Sequence, residues 1–354
     1  MRKGIFKSLA VILLFAISLV LLNVSADAME LNRCLLPKAS GENETKAEDK
    51  EVREDEEVKE DEESFSLTIL YNNDTHGVVD SLPYFKTLID EAREEVDNIL
   101  VLHGGDIFLR GEFEALQGVP EMEMMNAIGY DAWVLGNNDF RIAPQGGTVE
   151  AGNEQVQNMI AMAEFPTLCA NVTMRQNGKT MDNVYPYIIK EVGGVNVAII
   201  GVTSLKPQYR LWTEVADKNF ESGEITVANT IEKVSKEADI ILVLSHAGLV
   251  VDMQISRVGG VTAVIGADDH LVIQKPLYYP GYFGAKSTPM VQAGGENEQY
   301  LGRLELNFGK TEGKWTLAEF DGYLYDLEGV EADQTIVDII EEYRNNAAEE
   351  KEAA

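Results

Sequence analysis

Seven apolar runs rich in Val, Ile and Leu lie between residues 65 and 267, and six of them end in a polar cluster. The runs are FSLTILY (65–71), NILVLH (98–103), DAWVLG (131–136), PTLCANV (166–172), VNVAIIGVTS (195–204), DIILVLSH (239–246) and VTAVIGA (261–267). The clusters, in order, are NNDTHG, HGGD, GNND, ANV, SHAG and GADDH. Short β-branched runs bounded by Gly, Asn and Asp read as strands. Between most of them lie amphipathic helix patterns such as LPYFKTLIDEAREEV and TVANTIEKVSKEA. Strand and helix in alternation predict an α/β sheet covered by helices. VYPYIIKEVGGVNVAII reads instead as a hairpin turned at Gly193 and Gly194. After residue 285 the chain goes mainly to strands (TPMVQAGG, YLGRLELNF, KWTLAEFDGYLYDL) before a last helix, DQTIVDIIEEYRNNAA, and a fraying EEKEAA. An α/β core with a second layer of strands is the expected architecture.

Open α/β sheets hold their ligands at the carboxyl ends of the strands, which is where these polar clusters fall. His76, His246 and His270 sit inside them, and the fourth histidine, His103, stands three residues before Asp106. One histidine on an apolar run is usually a satisfied core residue. Three at equivalent strand ends, interleaved with aspartates, point to a metal site. Imidazole, carboxylate and an Asn carbonyl suit Zn, Mn or Fe rather than Ca or a thiolate-bound metal. Asp74 and His76, two residues apart, can point from one turn towards one ion. Two cysteines, Cys34 and Cys169, exclude a disulfide-dense scaffold and a Cys-rich zinc site, and both read as unpaired thiols, Cys169 buried.

The chain begins with Arg2, Lys3 and Lys7, about 15 apolar residues, and small residues ending at Ala28, the pattern of a signal peptide or an uncleaved signal anchor over 1–28. A periplasmic, extracellular or cell-surface location follows, with membrane attachment only through that anchor. Residues 42–63 carry a net −9 with almost no apolar content, so 29–63 reads as an acidic, disordered linker. Residues 1–41 carry +3, which leaves −25 of the chain's −31 on residues 64–354. A surface that acidic argues against nucleic-acid binding, because phosphate neutralisation needs Lys and Arg.

The clusters, in this order, resemble the motifs of the calcineurin-like metallophosphoesterases, most closely the secreted 5′-nucleotidase branch, where D-x-H, G-D, G-N-H-[DE], an isolated His and G-H-x-H hold two metal ions. The segment TPMVQAGGENEQYLGRLEL is similar to that family's A-G-x-x-x-x-x-L-G-R passage, so the resemblance runs from 65 to about 340. It implies a four-layer α/β/β/α sandwich, two packed mixed sheets flanked by helices, over a metal domain at 64–345, with 346–354 as a disordered tail. Carried over residue by residue, Asp74, His76 and His270 hold the first ion, Asp106 bridges both, and Asn137 and His246 hold the second. A metal-bound hydroxide then hydrolyses a phosphoester, nucleotide-like, in line and without a covalent intermediate.

Three departures qualify that implication. Asp268 replaces the first His of G-H-x-H and is either a carboxylate ligand of the second ion or unliganded, with Asp269 or a water in its place. As a ligand it brings two divalent ions, three carboxylates and a hydroxide to zero net charge and favours Mn or Mg over Zn, Mn foremost. Asn138 stands where the family has its catalytic His, and Arg141 where the orienting Asp would be. An amide cannot donate a proton to a leaving alkoxide. Arg141 is then a candidate for holding a substrate oxygen and His103 for supplying the proton, each against a plain structural role. Finally, the branch carries base recognition in a further C-terminal domain, and no feature of this chain is assigned to that task. The aromatic PLYYPGYFG (276–284) is either a pocket wall or a loop packed on the sheet. The resulting expectation is a secreted metal-dependent phosphoesterase acting on a small-molecule phosphoester. The alternatives are a phosphodiesterase of the same superfamily or a non-catalytic descendant that binds a ligand.

Overall fold

Along the first strand, β1 (Ser64–Asn72), Leu67, Ile69 and Tyr71 turn to one face and Leu70 to the other. The same period-two alternation divides β2 (Ile99–His103), where Leu100 and Leu102 oppose Val101, and β3 (Ala132–Val134), where Ala132 and Val134 oppose Trp133. A strand with apolar residues on both faces must be covered on both faces. That requirement generates the layers seen in the computed structural model, which describes residues 63–353 apart from 142–146, 205 and 279–287. The expected signal segment, most of the acidic linker, Cys34 and most of the 276–284 loop lie outside the described residues.

β1 to β3 continue in parallel into β4 (Thr167–Leu168) and β5 (Val184–Tyr185). The second sheet begins with the expected hairpin, β6 (Tyr187–Val192) against β7 (Val195–Thr203), turned at Gly193 and Gly194 with φ of 56° and 80°. Two successive positive φ values suit a tight hairpin, and glycine adopts them without a Cβ penalty. β7 runs parallel to β8 (Ile240–His246), which pairs in turn with β9 (Ala263–Ile265). The edge strand β10 (Leu277–Tyr278) lies antiparallel to β11 (Pro289–Val291), which pairs in parallel with β9. The long strands β12 (Gly302–Thr311) and β13 (Lys314–Leu324) return antiparallel to the first sheet beside β1. The sheet orders are β13-β12-β1-β2-β3-β4-β5 and β10-β11-β9-β8-β7-β6.

Between the sheets lies a core of Ile69, Leu102, Val134, Ile199, Leu242 and Leu304 with their neighbours. On the outer face of the first sheet pack α1 (Leu82–Glu95), α2 (Val119–Ile128), α3 (Val149–Met162) and α6 (Gln334–Ala353) through residues such as Phe85, Met125, Met159 and Ile340. On the outer face of the second pack α4 (Gly223–Val234) and α5 (Leu249–Ile255) through Val227, Ile231 and Ile255. The order is helix, sheet, sheet, helix, the four-layer α/β/β/α sandwich expected from the resemblance. Truncating a fully buried side chain such as Phe85 costs about 3–5 kcal/mol.

Two boundaries differ from the sequence reading. PTLCANV is broken between two strands: Thr167–Leu168 belongs to the first sheet, Ala170 N–H then donates to Gly201 O of the second (2.7 Å), and Val172 opens a separate strand, Val172–Met174, paired with Lys218–Phe220. The last helix continues to Ala353 rather than stopping near 345, through a stretch of Ala, Glu and Lys, all strong helix formers.

On α5, Asp252 is buried beneath β8 and accepts a hydrogen bond from Ser245 Oγ; burial pushes its carboxyl up to about 8. The folded state therefore holds this proton more tightly than the unfolded chain does. Its contribution is complete below about pH 4 and is lost as pH rises through about 8, at most about 1.4 kcal/mol per pH unit. Asp252→Asn, measured by thermal unfolding at pH 5 and pH 8, is expected to stabilise at the higher pH and to flatten the slope between the two. An unchanged slope would place the pH dependence elsewhere.

Candidate metal centre

Beyond their last ladder bonds, β1 and β2 remain tied through their loops. Asp74 N–H donates to Gly105 O (2.9 Å), His76 N–H to Asp106 O (3.0 Å) and Gly77 N–H to Ile107 O (2.7 Å). Asp74, His76 and Asp106 take φ values of 52°, 47° and 52°, and Asp268 and His270 take 79° and 54°. Left-handed backbone at a residue with a Cβ carries strain and persists only where the surroundings impose it, typically at functional sites. Five of the seven expected metal ligands share that strain.

Two groups of donors result. His270 Nε2 lies 3.2 Å from Asp74 Oδ1 and 3.3 Å from His76 Nε2, bringing Asp74, His76 and His270 together as expected. Asp74, Asp106 and His246 form the second group, with His246 Nε2 at 3.3 Å from Asp106 Oδ2 and 3.8 Å from Asp74 Oδ1. Asp106 Oδ2 is also 3.7 Å from His76 Nε2, so it borders both groups. Asp268 Oδ1 joins at 3.9 Å from His246 Nε2. Asn137 stands beside it, its side-chain amide lying between Asp268 Oδ1 and the Asn138 N–H, 3.1 Å from each. Of the two aspartates in GADDH, Asp268 faces the cluster, whereas Asp269 turns away to accept from Leu249 N–H (2.6 Å) at the start of α5.

The donor set fits cations. His246 Nδ1–H donates to Gly104 O (2.7 Å), which fixes the ring and aims Nε2 at two carboxylates. Asp74 Oδ1 is buried and accepts no hydrogen bond, yet His76, His246 and His270 all turn Nε2 towards it. Lone pairs and carboxylates converging in a buried space need positive charge between them. The ionisation equilibria carry the same strain. Burial opposes ionisation of Asp106, but His246, His76 and the Asn138 amide outweigh it and hold this carboxyl well below its usual range. Burial likewise opposes charging of His246, but Asp106 and Asp74 raise it. Burial lowers His76 against the pull of the same two aspartates.

Neighbours lock these groups in place. Asn73 Nδ2 donates to Asp74 Oδ2 (2.7 Å) and to Gly294 O (2.7 Å), while its Oδ1 accepts from Ala293 N–H (2.9 Å). Asp139, fully buried, accepts from the N–H groups of Asp106, Ile107 and Gly136 (2.8–3.0 Å) and so pins the Asp106 loop; burial and the Asp106 charge push its carboxyl up to about 7. Gly136 approaches so closely that a Cβ there would lie 2.1 Å from Asp106 Oδ1. Asn73 and Asp139 stand inside quoted clusters, but nothing in the sequence distinguishes them from turn residues. Lys206 Nζ, 2.7 Å from Asp268 Oδ2, and Tyr209 Oη, 3.4 Å from Asp268 Oδ1, come from a segment about sixty residues away with no motif of its own.

The three residues expected to act on substrate occupy different places. Asn138 binds Asp106 twice, N–H to Oδ1 and Nδ2–H to Oδ2, both at 2.7 Å. Arg141 stacks on Trp212, its Cζ 4.0 Å from the ring centroid. His103, expected as a proton source, is instead 1% exposed, accepts from Gly105 N–H through Nδ1 (3.1 Å) and packs edge-on against Tyr130; burial lowers it to about 3. A neutral imidazole so enclosed is a poor donor to a substrate. Asn171 of the ANV cluster is not at the centre either: it braces the two sheets through Thr203 N–H and O.

A family model described as calcineurin-like phosphoesterase matches residues 67–272, the span that carries all seven candidate metal ligands. The chain belongs to this family. Its relatives place it on the 5′-nucleotidase-like branch. It is 27% identical over 276 residues to the trifunctional nucleotide phosphoesterase protein YfkN of Bacillus subtilis, covering 69% of this chain and 18% of that protein. It is 30% identical over 204 residues to the 5′-nucleotidase of Vibrio cholerae, covering 52% and 34%. The chain thus spans about a fifth to a third of the length of these curated relatives. In fold it is similar to the 5′-nucleotidase precursor of Thermus thermophilus (TM-score 0.70, 22% identity, 80% of this chain and 59% of that one). It is also similar to the YfkN structure from Bacillus subtilis (TM-score 0.65, 22% identity, 81% and 99%).

Proposed function

We propose that the chain is an exported, metal-dependent phosphoesterase that hydrolyses small phosphate esters, nucleotides foremost. The observation that carries this is Asp74 Oδ1, buried without a hydrogen-bond partner and ringed by three imidazole nitrogens beside Asp106. Asp74, His76 and His270 would hold one divalent cation; Asp106 would share two; His246, Asn137 and Asp268 would complete the second position. When bound, such a pair supplies Lewis-acid activation of water and of phosphoryl oxygens. The carboxylate-rich donor set favours hard ions, Mn foremost, over Zn. Asn138 holds the Asp106 carboxylate in line rather than moving a proton. Lys206, set between Asp268 (2.7 Å) and Asp269 (3.2 Å), offsets part of their negative charge at the edge of the cluster and so lessens its repulsion of a phosphate dianion.

Export rests on the basic, apolar and small-residue pattern of residues 1–28, ahead of an acidic spacer over 29–63 and a catalytic domain from 64. Among the described residues no helix is long and apolar enough to cross a membrane. The net −25 on residues 64–354 supports a small-molecule ester rather than nucleic acid as partner.

A phosphodiesterase reading is favoured by Asn138, whose side-chain amide donates to Asp106 and has no ionisable proton for a leaving group. Matched aryl phosphate monoesters and diesters decide between the two: a higher rate on the diester moves the reading to that activity. Loading the purified chain with Mn, Zn or Mg is expected to raise its melting temperature, by about 2.7 kcal/mol of stability at a hundredfold excess over Kd, and a chelator to reverse it. No thermal shift with any of the three ions, together with no hydrolysis of monoester, diester or nucleotide, would sink the proposal.

A further inference from the structure

Beside the cluster, on the side of Asp268 and Asn138, three planar groups gather. Tyr209 and Trp212 have ring centroids 4.9 Å apart at 46°, and the Arg141 guanidinium lies 4.0 Å from the Trp212 centroid. The aromatic pair comes from the turns that follow β7, Tyr209–Leu211 and Thr213–Val215, and Arg141 closes the turn Asn138–Arg141. Aromatic side chains in such turns ordinarily pack inward. Trp212 does pack in part against the core beneath the first sheet's helices, yet Tyr209, Trp212 and Arg141 all stay half-buried, with Leu211 84% exposed.

Both ends of this patch are tied to the metal cluster. Tyr209 Oη reaches Asp268 Oδ1 (3.4 Å), and Lys206 Nζ, 5.9 Å from the Tyr209 centroid, reaches Asp268 Oδ2 (2.7 Å). Arg141 ends the turn whose first residue, Asn138, donates to Asp106. Two cations, Lys206 and Arg141, therefore flank an aromatic pair in a domain that is otherwise strongly acidic. Planar rings and guanidinium groups stack nucleobases without regard to which base is present.

Resting on the phosphoesterase reading, we propose that Tyr209, Trp212 and Arg141 form a stacking platform for the nucleobase carried by the leaving nucleoside, while Lys206 lies on the side of its phosphate. Substrate preference is then set within this domain, by a surface adjoining the second metal position.

The test compares the metal-loaded wild-type chain with Trp212→Ala and Trp212→Phe. The readout is kcat/KM on adenosine 5′-monophosphate divided by kcat/KM on ribose 5-phosphate, together with binding of adenosine, which has no ester to hydrolyse, followed by saturation-transfer NMR. In Trp212→Ala the ratio is expected to fall about tenfold, mainly through KM for the nucleotide, which is the loss of one stacking contact. Trp212→Phe should keep most of the preference, and adenosine should bind the wild type and Trp212→Phe but not Trp212→Ala. A ratio that Trp212→Ala leaves unmoved overturns the platform while leaving the esterase reading intact. Should neither of these monoesters be hydrolysed, adenosine binding alone decides the platform: loss in Trp212→Ala supports it, and no binding to wild type overturns it. Tyr209→Ala, on the same readouts, guards against a folding defect peculiar to Trp212.

Discussion

Asp106→Ala is expected to abolish hydrolysis, by about a thousandfold or more, the upper end of the cost of losing one preorganised electrostatic partner. Its Oδ2 borders His76 and His246, and both its oxygens accept from Asn138, so no neighbouring side chain stands ready to replace it. The same variant should bind fewer divalent ions per chain than the wild type, read by elemental analysis after dialysis. Hydrolysis that survives the substitution at wild-type rate would mean that the measured activity belongs to a contaminant. An unaltered metal content would remove Asp106 from the centre.

The second large effect is on stability. Asp139→Ala strands three backbone N–H groups, those of Asp106, Ile107 and Gly136, in a fully buried place. At about 1–3 kcal/mol for each unsatisfied donor, the loss is about 3 kcal/mol or more. Thermal unfolding should show it, and Asp139→Asn, whose amide oxygen still accepts, should lose less. Because the three donors belong to the loops that carry Asp106 and Asn137, metal affinity should fall along with stability. If the alanine variant melts like the wild type, the Asp106 loop is held by something else.

Within the site, legibility followed the length of chain over which a constraint acts. Asp74 and His76 could be read together because one turn carries both, and His246 and His270 because each closes an apolar run. Asn73 and Asp139 were in view but not interpretable, since an Asn or Asp at a strand end satisfies turn chemistry equally well. Lys206, Tyr209 and Trp212 had no local signature at all; they matter only because the turns after β7 fold against Asp268 and Arg141. His103 misled for the converse reason: its closeness to Asp106 along the chain says nothing of the depth at which its ring is buried.

The larger division has the same origin. Periodicity of two along β1, β2 and β3, together with the alternation of strands and helices, is a property of consecutive residues, so the layered α/β architecture and the strand-end position of the polar clusters are written in the chain itself. Where PTLCANV leaves its sheet, which of the two GADDH aspartates faces the cluster, and which cation stands beside it are settled by contacts between segments tens to hundreds of residues apart. Local propensity does not encode such contacts, because their energy appears only once packing has brought the two sheets together and imposed left-handed backbone on Asp74, His76, Asp106, Asp268 and His270.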